Sequence, residues 1–220
     1  MATKIRPDSF RLGITTWWKA HWSAKKNFKF QLEEDLLIRK IINDKISTAG
    51  IARIDIERNA NNNYRVTIKA AKPGFIIGHG GKGIENLNKS LESAMKKLWK
   101  KRNGDEPAFS LSLNIEELRR SEMSAANIAQ NVAMDLEKRM PTRRTLKKYV
   151  DSIMQNRDIF GVKIRLSGRL DGAEIARREW LSRGKLPLQT LRANIDYGEA
   201  TAFNTYGTVG IKVWVNKGEI

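Results

Sequence analysis

The sequence contains no cysteine, which removes disulfide frameworks, thiolate zinc sites and cysteine nucleophiles in one step. Histidine occurs only at His21 and His79, so a multi-histidine metal centre is nearly excluded. No apolar run approaches the roughly 18 residues of a membrane span, and no signal-peptide core stands at the start. Acidic residues are scarce: 24 Asp and Glu face 41 Lys and Arg over 220 residues, a formal charge of +17. A compact body with that charge repels itself unless an anion offsets it, so a polyanionic partner is the first expectation. With 40% hydrophobic and 30% charged residues the chain has a folding composition. At roughly 150 residues per domain it holds one large domain or two small ones. The expectation is a soluble intracellular protein with no cofactor, no metal and no membrane partner.

Residues 1–30 carry Lys4, Arg6, Arg11, Lys19, Lys25, Lys26 and Lys29 against Asp8. Trp17, Trp18, Trp22, Phe28 and Phe30 are interleaved with them, which suits an arm that orders on nucleic acid better than a frayed tail. From Leu32 the pattern turns regular. Leu32, Leu36, Leu37, Ile41, Ile42 and Ile46 recur at helical spacing, and Gly50 is a plausible stop. Ala52, Ile54 and Ile56 then alternate with charged residues. After an Asn-rich turn, Tyr64, Val66, Ile68 and Ala70 do the same, which predicts a hairpin. Phe75 to Ile77 lead into a glycine cluster. A long helix follows with Ile84, Leu87, Leu91, Met95 and Leu98 on one face, and Phe109, Leu111, Leu113 and Ile115 alternate in a further strand. The order is α-β-β-α-α-β.

The second half restarts with a helix striped by Ala125, Ile128, Ala129, Val132 and Leu136 and ended by Pro141, then a helix from Thr142 to about Phe160. Strands follow around Val162–Leu166, Leu191–Tyr197 and Val209–Val215. The predicted fold class is α+β, with a basic aromatic arm at 1–30, one α+β domain at 31–118 and a second at 119–220.

The cluster Gly78-His79-Gly80-Gly81-Lys82-Gly83 fits three motifs by letters. A dinucleotide fingerprint needs a buried strand before it and an acid at the end of the next strand about 20 residues on; here the preceding apolar run is three residues behind Pro73-Gly74, and Glu116 and Glu117 lie nearly twice too far. A P-loop needs Ser or Thr after Lys82 and a Gly where Ile76 stands. The remaining reading is G-x-x-G, Gly78 to Gly81, between a short helix and a long one. Such a turn lets backbone approach a sugar-phosphate chain, and the helix start behind it offers free N–H donors. In a KH domain this loop clamps about four nucleotides. The plain alternative is a tight turn.

Between Lys138 and Lys148 lie six cations and no acid: Lys138, Arg139, Arg143, Arg144, Lys147 and Lys148. At about 100° per residue Arg143, Lys147, Arg144 and Lys148 fall at roughly 0°, 40°, 100° and 140°, and Leu146, Tyr149, Val150 and Ile153 lie opposite. Charge runs are usually only solvated faces. Here the cations crowd the first two turns, where the helix dipole disfavours them by roughly 0.3–1 kcal/mol each. A local rule broken without compensation nearby in the chain points to a phosphate-facing role.

Arg11-Leu12-Gly13-Ile14, the loop Ile77 to Gly81, and Ser167-Gly168-Arg169-Leu170 followed by Gly172 to Arg177 resemble one family closely. Pro187-Leu188, Thr190 to Ala193, Tyr206-Gly207, Lys212-Val213-Trp214 and Lys217 to Ile220 extend the resemblance over nearly the whole chain. The family is the KH-containing ribosomal protein three of the bacterial-type small subunit. The resemblance implies a type II KH domain and a family-specific C-terminal α+β domain. It also implies a place in the small-subunit head, on ribosomal RNA and beside neighbouring head proteins, near the messenger-RNA channel. The family's R-R-x-x-K face at that channel falls on Arg143, Arg144 and Lys147, with Lys148 adjacent, and its KH loop on Gly78, His79, Gly80 and Gly81, with Lys82 next to it. Arg11, Lys25, Lys26, Lys138, Arg139, Arg169 and Arg177 are expected as further RNA contacts. Two departures stand out: His79 and Gly80 occupy positions that are often basic in relatives, and Pro141-Thr142 replace a bulkier apolar pair.

Enzymatic readings find little. Glu116-Glu117 and Glu33-Glu34-Asp35 are adjacent acids of a kind that surfaces often carry, and neither G-x-S-x-G nor H-E-x-x-H occurs. The alternative function is a free-standing KH regulator of messenger RNA, and the second domain discriminates, since such a regulator usually adds another KH module or a disordered tail. The expected location is the cytoplasmic ribosome, with an organelle ribosome as the open alternative.

Overall fold

A computed structural model describes residues 5–24, 27–46, 49–59, 62–102, 109–118 and 123–219. The chain divides into two compact units, one spanning 19–118 and the other built from 1–18 together with 119–220.

In the 19–118 unit the elements run β1 (Ala20–His21), α1 (Phe28–Lys45), β2 (Ile51–Arg58), β3 (Asn63–Ala70), α2 (Pro73–Ile77), α3 (Lys82–Arg102) and β4 (Ser110–Glu117). The predicted α-β-β-α-α-β order is present, with the two-residue β1 added at one edge. The sheet order is β1-β2-β3-β4. Strands β2 and β3 form the antiparallel hairpin, in the register Ile54 to Ile68 and Ile56 to Val66, and β4 pairs parallel to β3. One core holds Ile38 and Ile42 of α1, Ile56, Val66 and Ile68 of the hairpin, and Leu91 and Met95 of α3. Leu111, Leu113 and Ile115 of the edge strand β4 are half-buried against it.

Two acids correct the surface reading of Glu33-Glu34-Asp35, because Glu34 and Asp35 are both buried. Glu34 Oε1 accepts from Trp99 Nε1 (2.8 Å) and Arg102 Nη1 (3.0 Å), and its Oε2 from Arg58 Nη1 (2.7 Å) and the Tyr64 hydroxyl (2.8 Å). Four donors from three elements thus converge on one carboxylate of α1. Burial, and then the charge of Glu34, push the Tyr64 phenol well above its usual range. Asp35 accepts from Arg39 Nε at 3.1 Å, yet its burial outweighs that pairing and raises its pKa.

The other unit runs α4 (Ala125–Glu137), α5 (Thr142–Met154), β5 (Gly161–Gly168), β6 (Arg177–Gly184), β7 (Ala193–Asn204) and β8 (Gly207–Glu219). The sheet is antiparallel in the order β6-β5-β8-β7. Both helices pack on one face, where Val132, Leu136, Leu146, Val150 and Ile153 meet Val162, Ile164, Leu166, Ile211 and Val213. Helix α5 ends at Met154 rather than near Phe160. Strand β6 was not expected at all: it is an edge strand, with seven of its eight residues exposed, so it carries no apolar alternation.

Residues 5–18 also depart from the expected arm. They pack into this second unit, and the reason is Arg11, which is wholly buried. Its Nε donates to Ala193 O (2.7 Å), its Nη1 to Pro7 O (3.0 Å), and its Nη2 to Leu188 O (2.9 Å), Thr190 O (2.8 Å) and Pro187 O (3.3 Å). The planar guanidinium fork spreads its donors over carbonyls on two sides, where an ammonium offers three donors at a single point. Burial lowers the pKa of Arg11. Beside it, Arg6 bridges Asp8 and Glu199 and lies 5.1 Å from the Tyr197 ring centre.

Candidate nucleic-acid interface

In the KH-like unit, α2 stops at Gly78, a 3-10 turn spans His79–Gly81, and α3 begins at Lys82. The turn is tight because a Cβ on Gly83 would stand 2.4 Å from the Ile76 carbonyl oxygen, so only glycine lets α3 start that close to α2. Gly80 has φ +62°, in the left-handed region. Gly78, His79, Gly80 and Lys82 are exposed and Gly81 half-buried, so the G-x-x-G turn presents its backbone to solvent, while the Lys82 N–H donates to His79 O within the turn. Sequence reasoning passed over Phe75. It precedes the turn, is 68% exposed, and has the Lys72 ammonium 5.7 Å from its ring centre, a platform on which a base could stack. Its signal was an aromatic in a five-residue helix with no apolar partner at helical spacing.

In the second unit the α5 wheel holds as expected. Arg143, Arg144, Lys147 and Lys148 are exposed, while Leu146, Val150 and Ile153 are buried. The four cations are not equivalent. Lys148 is 3.0 Å from Asp135 Oδ2, the carboxylate oxygen that also accepts from the Tyr149 hydroxyl at 2.9 Å. Arg143 is 87% exposed and makes only a 3.4 Å contact to Glu179. Arg144 and Lys147 have no side-chain partner among the described residues.

An acid does compensate the start of α5, which the local charge pattern did not suggest. Asp171, from the turn after β5, accepts from Thr142 N (3.1 Å) and from Thr142 Oγ1 (2.8 Å). It caps the helix from 29 residues away while holding a left-handed backbone, φ +52°. No local motif announces such a cap.

Around that helix start, Arg143 and Arg177 line one groove with Asp171 and Glu179, and Arg139 and Arg169 line another with Asp171 and Tyr206. Lys138, Arg139 and Arg177 are exposed. Arg169 is half-buried, because its Nε donates to Ala173 O (2.9 Å) and its Nη1 to Tyr206 O (3.1 Å), which fixes the turn before it can serve a ligand. Arg11 is corrected outright: five carbonyl oxygens consume it, so it holds the fold and not RNA. Lys25 and Lys26 lie outside the described residues. Among the described residues no cluster of His, Asp and Glu could hold a metal ion, and no helix is long and apolar enough to cross a membrane.

A family described as "KH domain" matches residues 37–123, and one described as "Ribosomal protein S3, C-terminal domain" matches 132–215. The chain is therefore a KH-type protein joined to a ribosomal C-terminal domain, and not a tandem of KH modules. Proteins named small ribosomal subunit protein uS3 match along its whole length. That of Syntrophomonas wolfei is 47% identical over all of this chain and 91% of its own length. Those of Desulfitobacterium hafniense and Rhodospirillum centenum are each 46% identical, over 94% and 92% of their lengths. The chain belongs to the small ribosomal subunit protein uS3 family.

Proposed function

We propose that the chain is a structural, RNA-binding component of the head of the small ribosomal subunit, working in cytoplasmic ribosomes beside neighbouring head proteins. Family membership supports the ribosomal and ribosomal-RNA part of this reading, and makes the role structural and not catalytic. The turn Gly78–Gly81 with Lys82 and Phe75 serves as one RNA contact, and the exposed face of α5, with Lys138, Arg139 and Arg177, as another. The finer proposal is that the α5 face lines the messenger-RNA channel. The observation that carries it is the placing of Arg144 and Lys147 on the exposed face of α5 with no acidic partner among the described residues, beside a nearly bare Arg143. Positioned cations of this kind capture strands that open transiently, and no chemistry is required.

The test is the triple replacement of Arg143, Arg144 and Lys147 by Ala. All three project from the surface, so the fold should hold. The logarithmic salt dependence of single-strand RNA binding should fall by about 0.7 per contact, roughly two units in all. In translation by assembled particles, messages with stable downstream hairpins should slow while unstructured ones are nearly unaffected. Equal slowing on both would refute the channel role and leave a scaffold contact.

A further inference from the structure

The face of the second sheet turned away from α4 and α5 carries an arrangement that neither the KH turn nor the α5 face uses. Strand register sets its side chains in rows. Ser182, Lys163, Trp214 and Tyr197 form one row, and Trp180, Arg165, Lys212 and Glu199 the next. Arg178 and Ser167 begin a third. The N-terminal segment covers the β7 end, where Arg6 sits over Tyr197 and pairs with Glu199. On the rest of the face Arg178, Trp180 and Lys212 are exposed, and Lys163, Arg165 and Trp214 half-buried. Trp180 is 59% exposed there, and the Lys163 ammonium lies 4.8 Å from its ring centre and 5.9 Å from that of Trp214.

Four cations thus occupy this face, Lys163, Arg165, Arg178 and Lys212, and none has an acidic partner among the described residues. Its one acid, Glu199, is already engaged by Arg6 and by the Tyr197 hydroxyl. Trp and Arg also suit protein interfaces, but Lys is depleted at their cores, and four cations without a compensating acid favour a polyanion. Cations alternating with an exposed indole match a strand of unstacked nucleotides, whose bases stack on rings while its phosphates meet Lys and Arg.

We propose that this sheet face is a separate single-stranded RNA site, with Trp180 as the base-stacking platform and Arg165, Arg178 and Lys212 as the phosphate contacts. The proposal rests on the RNA-binding reading above and assigns it a surface on the other side of the sheet from α5.

The experiment uses the full chain and a labelled twelve-nucleotide oligouridylate, with affinity measured across a salt series. Trp180→Leu should weaken binding by between about five-fold and a hundred-fold, with the salt slope unchanged because no charge is lost. Trp180→Phe, which keeps a ring, should recover most of it. The double replacement Arg165→Ala and Lys212→Ala should instead lower the salt slope by about 1.4, at 0.7 per contact. Trp180 and Lys212 are exposed and Arg165 half-buried, and circular dichroism checks that each variant folds. Variants that bind like the parent would overturn the sheet site and leave the RNA-binding reading standing. A parent chain that does not bind the oligonucleotide would overturn both. Variants that bind RNA normally yet fail to enter reconstituted small subunits would assign the face to a protein neighbour and so refute the proposal.

Discussion

Replacing Arg11 by Lys keeps the charge and loses the fork. The native guanidinium directs three nitrogens at five carbonyl oxygens on two separate stretches of chain, around Pro7 and from Pro187 to Ala193. An ammonium has three donors at one point and reaches three of those carbonyls at most. Hydrogen bonds from a charged group contribute about 1.5–3 kcal/mol each, so two lost bonds place the cost at about 3–6 kcal/mol. The protein need not bear all of it globally. Residues 5–18 can detach as a unit, and their docking energy then caps the loss. The expected outcome is local. The amides of Gly13 and Ile14, bonded at 2.9 and 3.1 Å to Thr16 O and Arg11 O, should lose hydrogen-exchange protection by about a hundred-fold or more, since 1.4 kcal/mol is tenfold. Amides in the middle of β5 and β8 should change far less. Exchange followed residue by residue decides it. Unchanged protection at Gly13 and Ile14 in the Lys variant would refute the claim that the fork, rather than the charge, holds this segment.

In the KH unit, Glu34→Gln places an amide donor among four donors and should cost about 3–5 kcal/mol, as breaking a buried ion pair does. Denaturant unfolding of the full chain followed at Trp99 measures this, and a loss under about 1 kcal/mol would show that the four contacts contribute little. At Asp171 the order of stability should be Asp, Asn, Gly, Ala. Asn keeps a cap and tolerates the left-handed backbone, Gly loses about 1 kcal/mol of capping, and Ala adds roughly 1–2 kcal/mol of backbone strain. Thermal melts give the ranking, and Ala above Gly would contradict the backbone argument. Burial, and then the bond to Glu199, push the Tyr197 phenol up to about 12. Since the folded pKa lies above the usual value near 10, this stabilisation is complete below pH 10 and lost as the pH rises towards 12. Tyr197→Phe should flatten the alkaline fall in stability over that window, measured by unfolding at stepped pH.

The hairpin and α5 were legible because burial imposes a period on them. Ile54, Ile56, Val66 and Ile68 alternate at two, and Leu146, Val150 and Ile153 recur at helical spacing. The α5 face followed from the same rule, its cations being whatever the buried side left over. Strand β6 was illegible for the converse reason: its sequence RREWLSRG answers to ladder bonds with β5 and to no core, so no alternation records it. Arg11 read as an RNA contact and Glu34 as a surface acid, since what buries them are carbonyls and donors far along the chain. The Asp171 cap hides in the same way. Periodicity carries information about a side chain's own element, and these three residues take their roles from other elements.

The carbonyls that hold Arg11 reach 182 residues beyond it in the chain. At roughly 5–20 residues per second of synthesis, Arg11 exists for about 9–36 s before Ala193 is made. The KH unit, whose strands and helices all lie between the two parts of the other unit, can finish folding in that interval. Residues 5–18, made before the KH unit, are then among the last to settle. Through that wait their basic and aromatic side chains are exposed to whatever RNA or chaperone is at hand.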